Sequence, residues 1–290
     1  MEKHKFSKAW LIEREFFDNQ SRSNLLIKEV KKDSRSINKI IDLGCGTGAF
    51  LRWCISQNLS FSEAMLIDFD RRLINSIGML FRSFLKNKNY TIKKVNTREY
   101  LVTNLSSLEK SKILFLEKNI INSLDKIDRY DLVSLSALSD LLSKNIIRRL
   151  LSKTNRNKYI YFSLCFNGKI RWSPANEFDN YVINKFNKHQ IQDKGFGIAL
   201  GENNIRYIES IANKNSYIYT KKDSSWKIDS FNIKGKSFQE KYLKIILTAL
   251  KNDDITDKDI LKLWFSKRMQ SIKHIKSKLI VGHNDILIKT

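Results

Sequence analysis

The stretch Lys39-Ile40-Ile41-Asp42-Leu43-Gly44-Cys45-Gly46-Thr47-Gly48-Ala49-Phe50 is an apolar run ending in an acidic residue and a turn with glycine at alternate positions. A short apolar run bounded by turn residues reads as a strand buried in a parallel sheet. It delivers the chain to a tight bend, where glycine lets the backbone approach a ligand closely. Residues 49–57 then read as a helix whose free N–H groups face whatever the bend holds. Strand, glycine turn and helix in that order imply an α/β fold and a nucleotide-like cofactor.

Two readings of the cofactor follow. Gly44, Gly46 and Ala49 loosely satisfy the dinucleotide fingerprint, and Asp68 and Asp70 stand downstream at a suitable distance for an acidic ribose contact. The stretch fits D-x-G-x-G-x-G better, and Asp42-Leu43-Gly44-Cys45-Gly46-Thr47-Gly48 resembles motif I of the class I S-adenosylmethionine-dependent methyltransferases. That resemblance implies S-adenosylmethionine as cofactor. It puts Gly44, Cys45, Gly46 and Gly48 beneath the methionyl and ribose parts, and Asp42 where the site is organised around the amino group. Asp68 matches the acidic residue that holds the ribose hydroxyls, with Phe69 beside it in the cofactor site. Family members often carry an acidic or amide side chain after the third strand against the adenine, a place that Asn119 fits and Glu117 also allows. Ser134 opens a segment, Ser134 to Asp140, that matches the position of the fourth motif. The cofactor presents a carboxylate, an ammonium, a sulfonium and a diol but no pyrophosphate, so acceptors beside the turn suit it.

The resemblance also implies the architecture: a Rossmann-like, doubly wound, seven-stranded sheet whose last strand runs antiparallel. We divide the chain into an N-terminal helical extension, 1–35, and a methyltransferase domain, 36–290, with 170–200 and 223–277 as acceptor-side elements. The residue pattern gives a helix from Trp10 to Val30, strands at Ala64–Asp68, Ile113–Leu116, Asp131–Leu135 and Lys158–Leu164, and a helix from Arg71 to Leu85. Tyr90 to Lys112 reads as a short strand and then a helix reaching Glu109. Further on come a helix over Gly197 to Asn213, a strand over Ser216 to Thr220, two helices inserted over Ser237–Leu250 and Asp257–Met269, and a closing strand.

Composition bounds the rest. With 290 residues, 42% of them hydrophobic, the chain can bury a substantial core. Cys45, Cys54 and Cys165 are scattered without metal-ligand spacing or a disulfide pattern, which suits a reducing, cytoplasmic compartment. The opening Met1-Glu2-Lys3-His4-Lys5 lacks a signal peptide's apolar core, and no apolar run is long enough to span a bilayer. A formal charge of +23 raises nucleic acid as a partner, yet the lysines are spread along the chain among Asn and Ile, with no basic arm. We read them as solvated lysines in a compositionally biased chain.

Methyl transfer from a sulfonium is an in-line displacement, so positioning dominates and a base is required only where the acceptor must lose a proton. The single proline, Pro174, rules out the Asn/Asp-Pro-Pro-Tyr/Phe motif of many adenine methyltransferases and the Pro-Cys nucleophile of cytosine-carbon enzymes. His189 and Asp193 stand four apart in a polar, glycine-containing segment after the fifth strand, and on a helix they would share a face. They are the catalytic candidates. Asp140 reads as a base or as a solvated cap, and Trp226, His283 and Asp285 read as core and turn residues. Trp10, Arg14, Asp18 and Arg22 recur every four residues. Arg22 is the candidate clamp for the cofactor carboxylate, the alternative being an ordinary ion-pair ladder. The resulting expectation is methyl transfer to O, N or S of a small-molecule acceptor. RNA methylation, or cofactor binding without transfer, are the alternatives.

Overall fold

The computed structural model describes residues 7–32, 37–154, 158–253, 255–274 and 276–290. The opening residues 1–6 and the 35/36 boundary lie outside them. Along the chain come α1 (Lys8–Ser21), α2 (Asn24–Lys32), β1 (Lys39–Leu43), α3 (Ala49–Ser56), β2 (Glu63–Asp68), α4 (Arg71–Ile74) and α5 (Ile77–Leu85). A hairpin, β3 (Tyr90–Asn96) and β4 (Glu99–Asn104), leads into β5 (Lys110–Glu117), a 3-10 helix over 120–129, β6 (Leu132–Ser136) and α6 (Lys144–Ser152). The remainder is β7 (Tyr159–Ser173), α7 (Asp179–Gln190), α8 (Asn204–Lys214), β8 (Ile218–Asp223), β9 (Trp226–Asp229), α9 (Ile233–Lys251), α10 (Lys258–Lys273) and β10 (Lys278–Lys289).

The strands form one mixed sheet in the order β3-β4-β5-β2-β1-β6-β7-β10-β8, with β9 paired to β10. β5, β2, β1, β6 and β7 run parallel, and β10 is antiparallel to β7, β8 and β9. Among the described residues the sheet therefore has ten strands where seven were expected. The stretch read as a helix up to Glu109 is instead β4, which is held antiparallel between β3 and β5.

Alternation along the central strands assigns the helices to faces. Ile40, Leu132 and Tyr161 pack with Leu26 and Ile27 of α2, Phe50 and Trp53 of α3 and Phe81 of α5. Their neighbours Ile41, Val133 and Phe162 pack on the other face with α6 and α8. Leu164, within β7, has a φ of +53°. This left-handed residue acts as a bulge and shifts the alternation by one position. Before it Ile160 and Phe162 face α6 and α8; beyond it Cys165 does, while Phe166, Ile170 and Trp172 turn toward α1, α7, α9 and α10. The lengthened β7 thereby builds a second wall beyond the ordinary sheet edge.

The helix expected from Trp10 to Val30 is broken at Arg22 and Ser23. The break frees the Ser23 N–H to donate to Asp285 Oδ2 at 2.9 Å. Asp285 is fully buried and also accepts from Tyr161 Oη at 2.8 Å and from the Leu164 N–H at 2.7 Å, so one carboxylate ties α2, β7 and β10 together. The helix expected over Arg71 to Leu85 is likewise two helices, separated at Asn75 and Ser76.

Removing a buried acceptor of three hydrogen bonds leaves its donors unpaired. Asp285→Ala is expected to lower the unfolding free energy by about 2–4 kcal/mol. Chemical denaturation provides the measurement, and a loss under about 1 kcal/mol would mean that water replaces the carboxylate.

Candidate functional site

The glycine turn is drawn against the end of β2. The Gly44 and Cys45 N–H groups both donate to Ile67 O, at 2.8 and 2.9 Å, and Gly44, Gly46 and Gly48 have φ of +71°, +56° and +80°. Those dihedrals are the ones glycine adopts without Cβ strain. The buried Asp68 carboxylate accepts from the Gly46 N–H at 2.9 Å and the Asp70 N–H at 2.8 Å, joining the turn to the start of α4. Burial raises its pKa against the pull of these backbone donors. Phe69, half-buried, follows directly. Cys45 is buried in the turn, with Sγ 3.8 Å from Gly46 O.

Asp42 is completely buried. Its Oδ1 accepts from Ser134 Oγ at 2.6 Å, while Oδ2 has no hydrogen-bond partner. Burial is the largest influence on it and pushes its pKa up to about 6, although the Ser134 hydrogen bond and the Arg22 charge oppose the rise. Ser134 therefore orients Asp42. Nearby, the buried Arg22 donates from Nε to Ser163 Oγ at 3.2 Å, from Nη2 to Ser136 Oγ at 3.0 Å and from Nη1 to Asn19 Oδ1 at 2.6 Å. Its guanidinium also lies 5.8 Å from the Phe50 ring and 5.7 Å from the Trp53 ring. An anion beside these neutral acceptors would meet a cation whose nearest carboxylate oxygen, on Asp18, is 4.0 Å away.

Helix α1 roofs this arrangement. Leu11 lies over the turn, its Cδ1 being 3.4 Å from where a Gly46 Cβ would stand, and Glu15 forms a two-pronged pair with Arg52 of α3. Arg52 in turn donates to Thr47 O at 2.6 Å, so α1 is fastened to the turn itself.

A cavity of about 110 Å³ lies past the end of β6 and along the middle of β7; Ala137, which lines it, precedes Leu138, whose side chain packs on Gly44. Trp10, Phe166, Trp226 and Tyr242 contribute apolar walls, and Asp140 and His283 contribute polar ones. Two further lining residues, Ala137 and Leu164, have φ of +51° and +53°. Non-glycine residues in that region are strained, and such strain clusters at functional sites. Burial raises the Asp140 pKa to about 6, against the influence of Arg14. Burial lowers the His283 pKa to about 3, helped by Arg14, so its imidazole is neutral. Its Nδ1 is 3.0 Å from Val281 O, and since a carbonyl only accepts, Nδ1 carries the hydrogen and Nε2 the lone pair. Arg14 is turned toward Asp18 through Nε at 3.0 Å and Nη2 at 3.3 Å and lies 4.9 Å over Trp226, whose Nε1 donates to the same Asp18 at 3.0 Å.

The sequence-expected catalytic pair stands elsewhere. α7 ends at Gln190, so His189 and Asp193 do not share a helix face. Asp193 is exposed and its Oδ1 accepts from the Gly195 and Gly197 N–H groups at 2.7 and 3.0 Å, making it a loop-forming residue. His189 Nδ1 faces Lys194 Nζ at 3.3 Å, and the α7 residues that reach the cavity are Phe186 and Gln190. Asn119 follows the end of β5 as expected, but it is exposed and its side chain caps the 120–129 helix by accepting from the Ile121 N–H at 3.0 Å. The stripe Trp10, Arg14, Asp18, Arg22 does define the inner face of α1. Trp226, Tyr242 and His283, distant in sequence, had no local pattern by which to be found.

No protein-family model matches the chain, and no curated protein matches it in sequence. Among solved structures it is similar in fold to the YcgJ protein of Bacillus subtilis, at 10% identity and a TM-score of 0.48 over 92% of this chain and 99% of that one. A SAM-dependent methyltransferase of Thiobacillus denitrificans, in complex with S-adenosyl-L-homocysteine, aligns at 10% identity and TM-score 0.44 over 99% and 100% of the two chains. The cyclopropane synthase MmaA2 of Mycobacterium tuberculosis aligns at 10% identity and TM-score 0.44 over 88% and 79%.

The Asp42 environment has a consequence for stability. Its carboxyl titrates near 3.8 when solvated and near 6 in the fold, so the folded state binds the proton more tightly. Stability therefore falls as pH rises from about 4 to 6 and stays reduced above that range. Asp42→Asn is expected to stabilise the cofactor-free protein by about 1–3 kcal/mol at pH 8, a gain that disappears below about pH 4. Thermal unfolding at the two pH values checks this; a destabilised variant at pH 8 would contradict it.

Proposed function

We propose that this protein is a class I S-adenosylmethionine-dependent methyltransferase that acts on a heteroatom of a small molecule. The observation that carries the reading is Asp42 Oδ2, a buried acceptor without a partner next to the glycine turn, in the electrostatic reach of the buried Arg22. An α-amino acid's ammonium and carboxylate fit that acidic and basic pair. Asp42 would hold the ammonium, with Ser134 orienting it, and Arg22 would hold the carboxylate. Asp68, at the end of β2, would accept from the ribose hydroxyls, each of its oxygens carrying a backbone hydrogen bond and a spare lone pair. Gly44, Cys45, Gly46 and Gly48 would allow the close backbone approach, and Phe69 and Asn119 stand on the adenine side. The antiparallel β10 beside β7 also agrees with the arrangement that the motif resemblance implies.

The bound cofactor supplies an activated methyl group on a sulfonium. The chain's contribution is to orient the acceptor in the adjoining cavity, to keep water out with Trp10, Phe166, Trp226 and Tyr242, and to receive a proton. Asp140 is the group suited to that last task, because burial brings its pKa close to neutrality. It replaces His189 and Asp193 in the catalytic role. The cavity's size favours a small acceptor over a nucleic acid: space of about 110 Å³ under α1 admits one ring-sized group.

Calorimetry with S-adenosylmethionine tests the cofactor reading. Asp68→Ala is expected to weaken binding at least about tenfold, in line with the loss of hydrogen bonds to a charged acceptor; unchanged affinity would remove Asp68 from the ribose role. Asp140→Asn is expected to keep cofactor affinity and lose about 10²–10⁴ in kcat. In the wild type kcat/KM rises with pH through about 6, as the Asp140 carboxylate ionises, and then levels. Equal losses in His189→Ala or Asp193→Ala would return the catalytic role to them.

A further inference from the structure

We infer that the methyl acceptor is a primary or secondary amine on a small apolar body, with its N–H groups directed to Asp140 and His283 and its positive charge set among aromatic rings. This rests on the methyltransferase reading and goes further by choosing among O, N and S.

The argument starts from the polar inventory of the cavity wall. Asp140 offers carboxylate oxygens and neutral His283 offers the Nε2 lone pair, so both groups accept. Arg14, the one cation among the lining residues, is already paired through two nitrogens with Asp18 and laid over Trp226. Gln190 and Tyr242 are neutral and can turn either as donor or acceptor. A wall that accepts at two places is complementary to a group carrying two hydrogens. A hydroxyl satisfies only one of them, and a thiol donates weakly.

Charge leads to the same choice. A phenolate, thiolate or carboxylate would bring a second negative charge beside Asp140, with no unpaired cation on the wall to receive it. The aromatic lining of Trp10, Trp226, Tyr242 and Phe166 suits a cation better than an anion, as the placement of Arg14 4.9 Å over Trp226 illustrates. An amine follows the opposite course. The amine binds as its ammonium and gives one proton to the Asp140 carboxylate, which frees the nitrogen lone pair to form the new N–C bond while the S–C bond breaks with its electron pair going to sulfur. The nitrogen is positively charged again, the methylated ammonium leaves with the thioether, and Asp140 returns its proton to water. The positive charge that develops is the one the wall is built to stabilise. A dry cavity of about 150 Å³ holds benzene, so about 110 Å³ accommodates the reactive end of a small ring or branched alkyl amine.

The test uses the full-length protein saturated with S-adenosyl-L-homocysteine at pH 7.5 and three probes of the same shape: benzylamine, benzyl alcohol and benzoate. Benzylamine is expected to bind at least tenfold more tightly than either of the others by calorimetry. Asp140→Asn, checked to bind S-adenosyl-L-homocysteine as the wild type does, is expected to erase that preference. Benzyl alcohol or benzoate binding as tightly as benzylamine, or no binding of benzylamine to the loaded protein, overturns the inference while the cofactor reading stands. Failure of S-adenosyl-L-homocysteine itself to bind overturns that reading and the inference with it.

Discussion

The docking of α1 over the glycine turn depends on the burial of Arg22. A guanidinium with a side chain 1% exposed is tolerable only where its N–H groups find acceptors. Here they come from three directions: Asn19 on its own helix, Ser136 at the end of β6 and Ser163 in β7. Because these acceptors belong to different elements, the arginine can be satisfied only with α1 seated across the carboxyl ends of the parallel strands. Glu15 with Arg52, and Asp18 with Arg14 and Trp226, extend that seat along the helix. The roof of the site is thus a row of charged and polar contacts on the inner face of a helix whose apolar residues alone would not specify one position.

The same region departs from what stability alone would favour. Asp42 is buried with one oxygen unpaired, Asp140 is raised toward neutrality, and Ala137 and Leu164 hold left-handed dihedrals. Each is unfavourable in isolation. They converge on one end of the sheet, where an unpaired acceptor and a rigidly aimed backbone become useful for binding. The surrounding structure compensates. Asp285 holds the Leu164 N–H in place, and the Ala137 N–H is bound to Ser163 O at 2.8 Å, so the distorted residues are fixed by neighbours that have ordinary geometry.

The acceptor side is assembled by irregularities in β7. The bulge at Leu164 turns the second half of this strand toward α1, α7, α9 and α10, and a second shift, between Phe166 and Ile170, again places its extra residues on β7 opposite β10. A buried cluster keeps that lobe in register. Asp179, on α7, receives Trp264 Nε1 at 2.9 Å and Arg268 Nε at 2.9 Å from α10, while Arg268 Nη1 donates to Pro174 O at 2.7 Å. The cavity is therefore walled on one side by ordinary sheet residues and on the other by helices that the sheet irregularities have brought within reach.

The chain's local patterns determined the strand, glycine turn and helix at residues 39–57, the central parallel strands, the late helices and the inner stripe of α1. All of these are encoded by residues within a few positions of one another, where periodicity and backbone freedom act directly. The short strand expected after Tyr90 is β3, but its hairpin partner β4 was not legible, because the contiguous apolar run Tyr100-Leu101-Val102 fits a helix as well as a strand by periodicity alone. His189 and Asp193 looked like a pair because spacing was judged as though the helix continued; where α7 actually stops is set by its packing and by the loop that Asp193 closes. Trp10, Asp140, Trp226, Tyr242 and His283 come from segments more than two hundred residues apart at the extremes, and only the folding of β10 and α1 onto β7 makes them one wall. The burial that brings Asp42 and Asp140 near neutrality is likewise a property of that assembly, since a carboxyl group's affinity for its proton follows from the water and charges around it rather than from its neighbours in the chain.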